Sequence, residues 1–362
     1  MKPRAKTQDN RKHSPVTLKT VAEHAGVTPG TVSAVLNNSA ASRSFPQHTK
    51  NRILAVAREL NYRPNFLARS LRVKRTYTIG VIAEEIGDPY GAVVISGVER
   101  YLQQRGYFFL TVAHRHDPEL LKSYSHLLLQ RGVEGFITVD TSISEVPPLP
   151  TVAIAGHRRV PEVTNLVLDH KTAARMALEH LIGLGHEEIA FVKGPASSSD
   201  SKDRWRAIVE VARELGLPIR PELVGQPQGE ATPDLGHLAV KKLFSHKRPF
   251  TALFCYNDNF AIGAIRAIQA VGLRVPEDIS VVGFDDIVGA AYGNPPLTTV
   301  RQPLRSMGEI AAKTLLGRIE NGDAYIPEIA VKPEFVVRQS TARAPALRPQ
   351  QDRTPTTVCI GG

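Results

Sequence analysis

Within the first sixty residues, apolar side chains recur every third or fourth position. Leu18, Val21, Ala22 and Ala25 form one stripe, with Thr17 placed to cap its start and Gly26 to end it. Val27 then supplies a buried apolar side chain. Thr28 and Pro29 open a second helix, because a proline at the first helical position forfeits no hydrogen bond. Val32, Val35 and Leu36 make its stripe, and Ile53, Leu54, Ala57 and Leu60 predict a third helix over 47–61. Two short helices joined by a three-residue glycine turn form a helix-turn-helix unit, whose second helix fits a DNA major groove, although the same unit also serves as plain packing.

From Tyr77 the period changes. Short apolar runs predict strands over 78–83, 108–112, 135–139, 151–154, 189–193, 252–255 and 279–284, with one more near Leu166. Amphipathic stretches predict helices over 90–105, 118–130, 171–184, 202–215, 233–244, 259–271 and 304–321. Such βαβ repetition implies parallel sheets covered on both faces, and the length suits two lobes with a ligand cleft outside the strand carboxyl ends. The predicted fold class is an N-terminal all-α helix-turn-helix head joined to a C-terminal α/β two-lobed body with parallel sheets.

Charge sharpens this picture. Residues 1–75 hold fifteen Lys and Arg against Asp9, Glu23 and Glu59, a net of +12, while the rest carries thirty basic against thirty-two acidic residues, a net of −2. A basic head on a near-neutral body is the footprint of a polyanion bound at one end, which favours DNA over plain packing. No run approaches the length of a membrane span, so no membrane partner is expected. The start, Met1 to Asn10, has no apolar signal segment. Two cysteines, Cys255 and Cys359, make no disulfide framework and fit a reducing cytoplasm, with Cys255 read as a small core hydrophobe. Dinucleotide, P-loop, nucleophile-elbow and paired-histidine motifs are missing from the sequence, so no enzyme, no metal and no cofactor are expected. The nearest thing to a phosphate loop, Lys193-Gly194-Pro195 with Ser197–Ser199, reads as a surface turn.

The run T-L-K-T-V-A-E-H-A-G-V-T-P-G-T-V-S-A-V-L-N-N from Thr17, followed by L-N-Y-R-P-N-F-L-A-R-S-L from Leu60, resembles the head and hinge of the LacI/GalR (lactose-repressor) family. The resemblance continues to about Thr341 through runs at 181–195, 257–268, 275–287 and 295–303, which look like a periplasmic-binding-protein fold. It implies a basic disordered tail over 1–16, a helix-turn-helix domain over 17–63, a hinge helix and linker over 64–76, an effector-binding and dimerisation domain over 77–341, and a disordered tail over 342–362. Three crossings would divide the body into lobe one, 77–168 plus 304–332, and lobe two, 169–303 plus 333–341. The implied function is a homodimeric repressor of a pseudo-palindromic DNA operator, controlled allosterically by a small molecule, a sugar or sugar derivative. A solute-binding protein of periplasmic type and a nucleobase-responsive regulator are the alternatives. No leucine heptads follow, so no tetramer is expected.

The resemblance also implies site residues. DNA contacts fall on Thr17, Thr28, Pro29, Gly30, Thr31, Ser33, Ala34 and Asn37, and in the hinge on Asn65, Ala68, Arg69, Leu71 and Arg72. Leu71, flanked by arginines, would wedge into the minor groove and kink a base step. Pro29, Gly30 and Ala34 are small where the family often carries large polar side chains. Readout then leans on Thr28, Thr31, Ser33 and Asn37, expected along the exposed side of the second helix, and on DNA deformability. Effector contacts fall on Pro89, Tyr90, Arg204, Asn257 and Asp285, with Asp88 standing where the family pattern has asparagine. Arg204 could donate a fork while Asp285 accepts hydroxyl protons, which suits a polyhydroxylated or carboxylated ligand; a lobe-closing Arg204–Asp285 bridge is the structural alternative. The position of a stacking ring is taken by Ala231, and that of an acidic residue falls near Ala155.

Overall fold

The computed structural model describes residues 16–63, 70, 74–156, 159–196, 198–228 and 232–345, which form two compact units divided between Thr76 and Tyr77.

In the first unit, helices α1 (Leu18–Ala25), α2 (Pro29–Leu36) and α3 (Gln47–Glu59) close around Val21, Ala22, Ala25, Val32, Val35, Ile53 and Ala57. The α1 stop is Gly26 at φ 62, a left-handed conformation that glycine adopts without a Cβ penalty. The Val27 N–H then donates back to the Ala22 carbonyl at 3.0 Å, so the turn is closed by its own backbone. Val16, expected in the disordered tail, packs on this core beside Tyr62. Between α2 and α3 the chain makes a short tight helical turn, Ala40–Ser44.

The second unit holds two six-stranded sheets. In order, the chain builds β1 (Thr78–Ala83), α4 (Pro89–Gln104), β2 (Phe108–Ala113), α5 (Pro118–Gln130), β3 (Phe136–Val139), β4 (Thr151–Ile154) and β5 (Val163–Leu168). It crosses over to α6 (His170–Gly183), β6 (Ile189–Val192), α7 (Ser199–Glu214), β7 (Val224–Gly225), α8 (Pro233–Ser245), β8 (Ala252–Cys255), α9 (Asp258–Ala270), β9 (Ser280–Asp285), α10 (Val288–Tyr292) and β10 (Thr298–Arg301). It returns for α11 (Leu304–Leu316) and β11 (Glu328–Val331), then crosses again to β12 (Glu334–Val336).

The sheet orders are β11-β5-β4-β3-β1-β2 and β12-β10-β9-β8-β6-β7. All pairings are parallel except β12 on β10. Each sheet therefore starts from an interior strand, β1 or β6, and winds outward both ways. That reversal leaves a crevice at the strand carboxyl ends, where α/β sheets bind ligands.

Both lobes use the same packing device. Helices α4 and α11 cross at Gly97 and Gly308, where an added Cβ would run into the carbonyls of Arg305 and Val94. Helices α8 and α9 cross at Gly236 and Gly263, where it would strike Phe260 and Pro233 backbone.

Three expectations change. The helix predicted to 321 ends as a regular α-helix at Leu316, and Gly317–Asn321 continue with a wider turn. The tail expected to be disordered from 342 begins ordered: Ala342 N–H donates to Ser280 Oγ at 2.9 Å and Ala344 N–H to the Leu184 carbonyl at 2.9 Å. The edge strands β7, β11 and β12 and the strand β10 were not predicted. Cys255 is buried, and burial pushes its thiol far above the ordinary range, so it is an inert core residue. Among the described residues no helix is long and apolar enough to cross a membrane, and no His, Cys, Asp and Glu cluster could hold a metal.

The crossings yield a stability test. Gly308→Ala and Gly263→Ala should each cost about 1–3 kcal/mol through forced backbone separation. Gly183→Ala, where a Cβ meets nothing, should be neutral or slightly stabilising. Denaturant melts of the three variants check this; equal stability throughout would remove the close crossings as a constraint.

Candidate functional site

A cavity of about 370 Å³ opens at the carboxyl ends of the strands of both sheets. One wall comes from the end of β1 (Ala83, Glu84), the loop into α4 (Asp88, Pro89, Tyr90) and the end of β3 (Val139, Asp140). The other comes from Ser198, Asp200 and Arg204 at the start of α7, with Tyr256, Asn257 and Asp285 after or at the ends of β8 and β9. Pro89, Tyr90, Arg204, Asn257 and Asp285, the five expected effector positions, thus share one cavity.

At the centre lies a buried charge. The Arg204 guanidinium is 3% exposed, bonded to Asp200 Oδ2 and to the Tyr256 carbonyl, and sits 3.9 Å from Asp285. Its carbon lies 3.6 Å from the Phe284 ring centroid and 4.5 Å from that of Tyr256, so it packs against two aromatic rings. His170 holds the other Asp200 oxygen at 2.9 Å, and Gln302 Nε2 donates to Asp285 at 2.7 Å. Arg204 Nε is buried without a hydrogen-bond partner. Burial pushes the Asp285 carboxyl well up, with Arg204 opposing it. Asp285 also sits at φ 108, a strained conformation for a residue with a Cβ.

Local capping places the remaining groups. Asp88 accepts the Gly91 N–H at 3.0 Å and starts α4, which sets Pro89 and Tyr90 at the mouth. Burial raises its carboxyl, with the Gly91 and Tyr90 N–H groups opposing. Asn257 Oδ1 accepts the Phe260 N–H at 2.9 Å and starts α9. Asp258 beside it is bolted to Thr299 Oγ1 at 2.6 Å and the Ile287 N–H at 2.9 Å, with burial lifting its carboxyl to about 7. Six carboxylates line the cavity (Glu84, Glu85, Asp88, Asp140, Asp200, Asp285) against the guanidiniums of Arg115 and Arg204.

Several expectations are corrected. Arg204 and Asp285 lie on the same side of the cavity, so their contact does not close the lobes. The 193–198 segment is no plain surface turn: Gly194 is buried under the Tyr256 ring, and Ser198 both caps α7 and bonds the Tyr256 hydroxyl at 3.0 Å. Ala155 lines the cavity without a carboxylate, while Asp140, at the end of β3, supplies one that the sequence did not suggest. Asp200 was also missed; its signal was its place one helical turn before Arg204. Ala231 lies outside the described residues.

On the head, Thr17, Thr28, Pro29, Gly30 and Asn37 are exposed, and Thr31 and Ala34 half-buried. Ser33, expected on the exposed side, is buried; its carbonyl and hydroxyl take the Asn37 amide at 2.7 and 3.2 Å. The threonine hydroxyls serve as caps, Thr17 accepting the Thr20 N–H and Thr28 the Thr31 N–H, each at 3.2 Å. The hinge positions Asn65, Ala68, Arg69, Leu71 and Arg72 lie outside the described residues.

Residues 17–65 match the family described as bacterial regulatory proteins, lacI family, and residues 178–341 match a periplasmic binding protein-like domain. The chain is 33% identical over 334 residues to the HTH-type transcriptional repressor PurR of Haemophilus influenzae, covering 90% of this chain and 98% of that protein. Its fold matches a lac repressor dimer bound to operator and the anti-inducer ONPF with a TM-score of 0.81 at 28% identity, covering 91% of this chain and 100% of that one. A LacI family regulator from Enterococcus faecium with bound ribose matches at a TM-score of 0.66 and 26% identity, covering 74% and 100%.

The charge network makes a direct prediction. Asp200→Ala strips the guanidinium of its nearest carboxylate and should cost about 3–5 kcal/mol, because a buried charge is left uncompensated. Denaturant unfolding measures it; a loss below about 1 kcal/mol would mean that water or Asp285 replaces Asp200 without penalty.

Proposed function

The chain belongs to the LacI/GalR family and is a DNA-binding transcriptional repressor of that family; on that premise we propose that its cleft takes a neutral polyhydroxylated small molecule, a sugar or sugar derivative, whose binding controls operator affinity. The carrying observation is the balance of the lining, six carboxylates against two guanidiniums around a cavity of about 370 Å³. Hydroxyl groups donate to carboxylates and accept from the Asn257 amide, so a polyol satisfies both kinds of partner. An anionic ligand would face mostly like charge, and an apolar one would strand buried polar groups. The similar regulator holding ribose supports this class of ligand.

The protein works as a homodimer in the cytoplasm on a pseudo-palindromic operator. Thr28, Thr31 and Asn37 of the head, with Thr17 at the start of α1, reach the DNA. Pro29, Gly30 and Ala34 let α2 approach it closely, while hinge residues Asn65, Ala68, Arg69, Leu71 and Arg72 engage the minor groove. A ligand that touches both walls of the cleft binds the closed body better than the open one. It shifts the equilibrium by that difference alone.

Three outcomes follow. In a thermal-shift panel of the full chain, neutral sugars should raise Tm, by about 2.7 kcal/mol of stabilisation at a hundredfold excess over Kd. If nucleobases, which would use the Tyr90 and Tyr256 rings, raise it and sugars do not, the ligand class is wrong. Asp285→Asn should keep affinity for an operator selected from random duplexes yet lose the sugar response, the missing charge costing about 2–5 kcal/mol of ligand binding. Thr31→Ala should weaken operator binding by about 1 kcal/mol in gel shifts and leave the sugar-induced Tm rise intact. An unchanged gel shift would take α2 out of the contact surface.

A further inference from the structure

Helix α7 has a second working face. Asp200 and Arg204 line the cleft, whereas Lys202, Trp205, Arg206, Val209 and Arg213, together with Lys193, line a separate groove of about 710 Å³. Positions 202, 206, 209 and 213 fall on one helical stripe about 16 Å long at 1.5 Å rise per residue. Trp205 is half-buried, edge-on to Phe191 at 5.7 Å, and the Lys193 ammonium sits 5.1 Å from its ring centroid. Among the described residues, Lys193, Lys202 and Arg213 have no carboxylate within ion-pair distance. Glu210, the acidic group of this lining, is held by Lys171 at 2.6 Å, and Arg206 pairs with Asp203 at 2.8 Å. On a body of net charge −2, this is a local excess of uncompensated cations flanking an aromatic and an aliphatic side chain.

We propose that this groove is a docking surface for an acidic segment of a partner protein. The stripe is longer than one phosphate group can engage, and matches about five residues of extended chain at ~3.3 Å each. Trp205 and Val209 offer apolar area that peptide side chains use and a sugar-phosphate backbone does not. Tryptophan and arginine are also the residue types that dominate protein interfaces. No terminal segment of this chain suits the groove: the head carries +12, and the residues after 342 hold Arg343, Arg348 and Arg353 against Asp352.

Trp205 is the sole tryptophan, so its emission reports on the groove and not on the basic head, which also draws acidic peptides. The full-length protein is titrated with a short Glu-rich peptide containing leucine. A saturable change in emission is expected, weakening as salt is raised. The exposed double variant Lys202→Glu with Arg206→Glu should weaken binding roughly tenfold, with Lys202→Gln between it and the wild type, because each exposed pair contributes modestly. Operator affinity should stay unchanged in all three proteins. Emission that does not respond, or responds equally in the double variant, overturns the proposal. So does displacement of the peptide by inorganic pyrophosphate or random duplex DNA at equal or lower concentration, which would make the groove a general anion site.

Discussion

One cation with its back to two aromatic rings organises the cleft. A guanidinium as deeply buried as Arg204 is tolerable only if its charge is matched on the spot, since desolvation alone would cost several kcal/mol. Asp200 meets it within the same helix, Asp285 from the end of β9 and the Tyr256 carbonyl from the end of β8. His170 fixes Asp200 from α6 in turn. Four elements of the second lobe are thereby aligned on one point. Asp200, Arg204 and Asp285 also line the cavity, so the group that stabilises the lobe shapes the cleft wall as well.

The two units carry opposite electrostatic requirements. A net of +12 on the head attracts phosphate without regard to sequence, while the six carboxylates of the cleft oppose anions at close range. The neutral ligand proposed for the cleft would therefore be read by hydrogen-bond geometry rather than by charge. On the proposed reading, small side chains at Pro29, Gly30 and Ala34 would shift DNA discrimination from bidentate base contacts toward backbone approach and DNA shape.

What the sequence shows depends on whether the signal is local. Strands β1, β3 and β8 are wholly buried, so their continuous apolar runs mark them directly. Strands β11 and β12 are largely exposed edges, and β7 is two residues long, so no period could appear. Asp200 stands in Ser-Asp-Ser-Lys-Asp-Arg, which reads as a solvated helix start; burial comes from α6, β8 and β9 folding over it, a long-range effect. Ser33 turned inward because helical position alone does not show where α3 will pack, and Asn37 then folded back to cap it. The five positions expected to meet an effector came from family resemblance, and the structure brings them into one cavity, whereas Tyr256 and Asp140 needed the strand ends to be placed in space.

Within each lobe, glycine crossings bring helix backbones into contact, at Gly97 and Gly308 in one and Gly236 and Gly263 in the other. Such contacts leave the crossing helices little room to slide, so a displacement between the lobes would fall on the connecting segments. Two of those segments are tied together, since Asp169 N–H donates to the Val331 carbonyl at 2.9 Å. The third contains Gln302, whose side chain donates to Asp285 inside the cleft at 2.7 Å. On the proposed reading, a ligand hydroxyl that competes for Asp285 would act on a connecting segment directly.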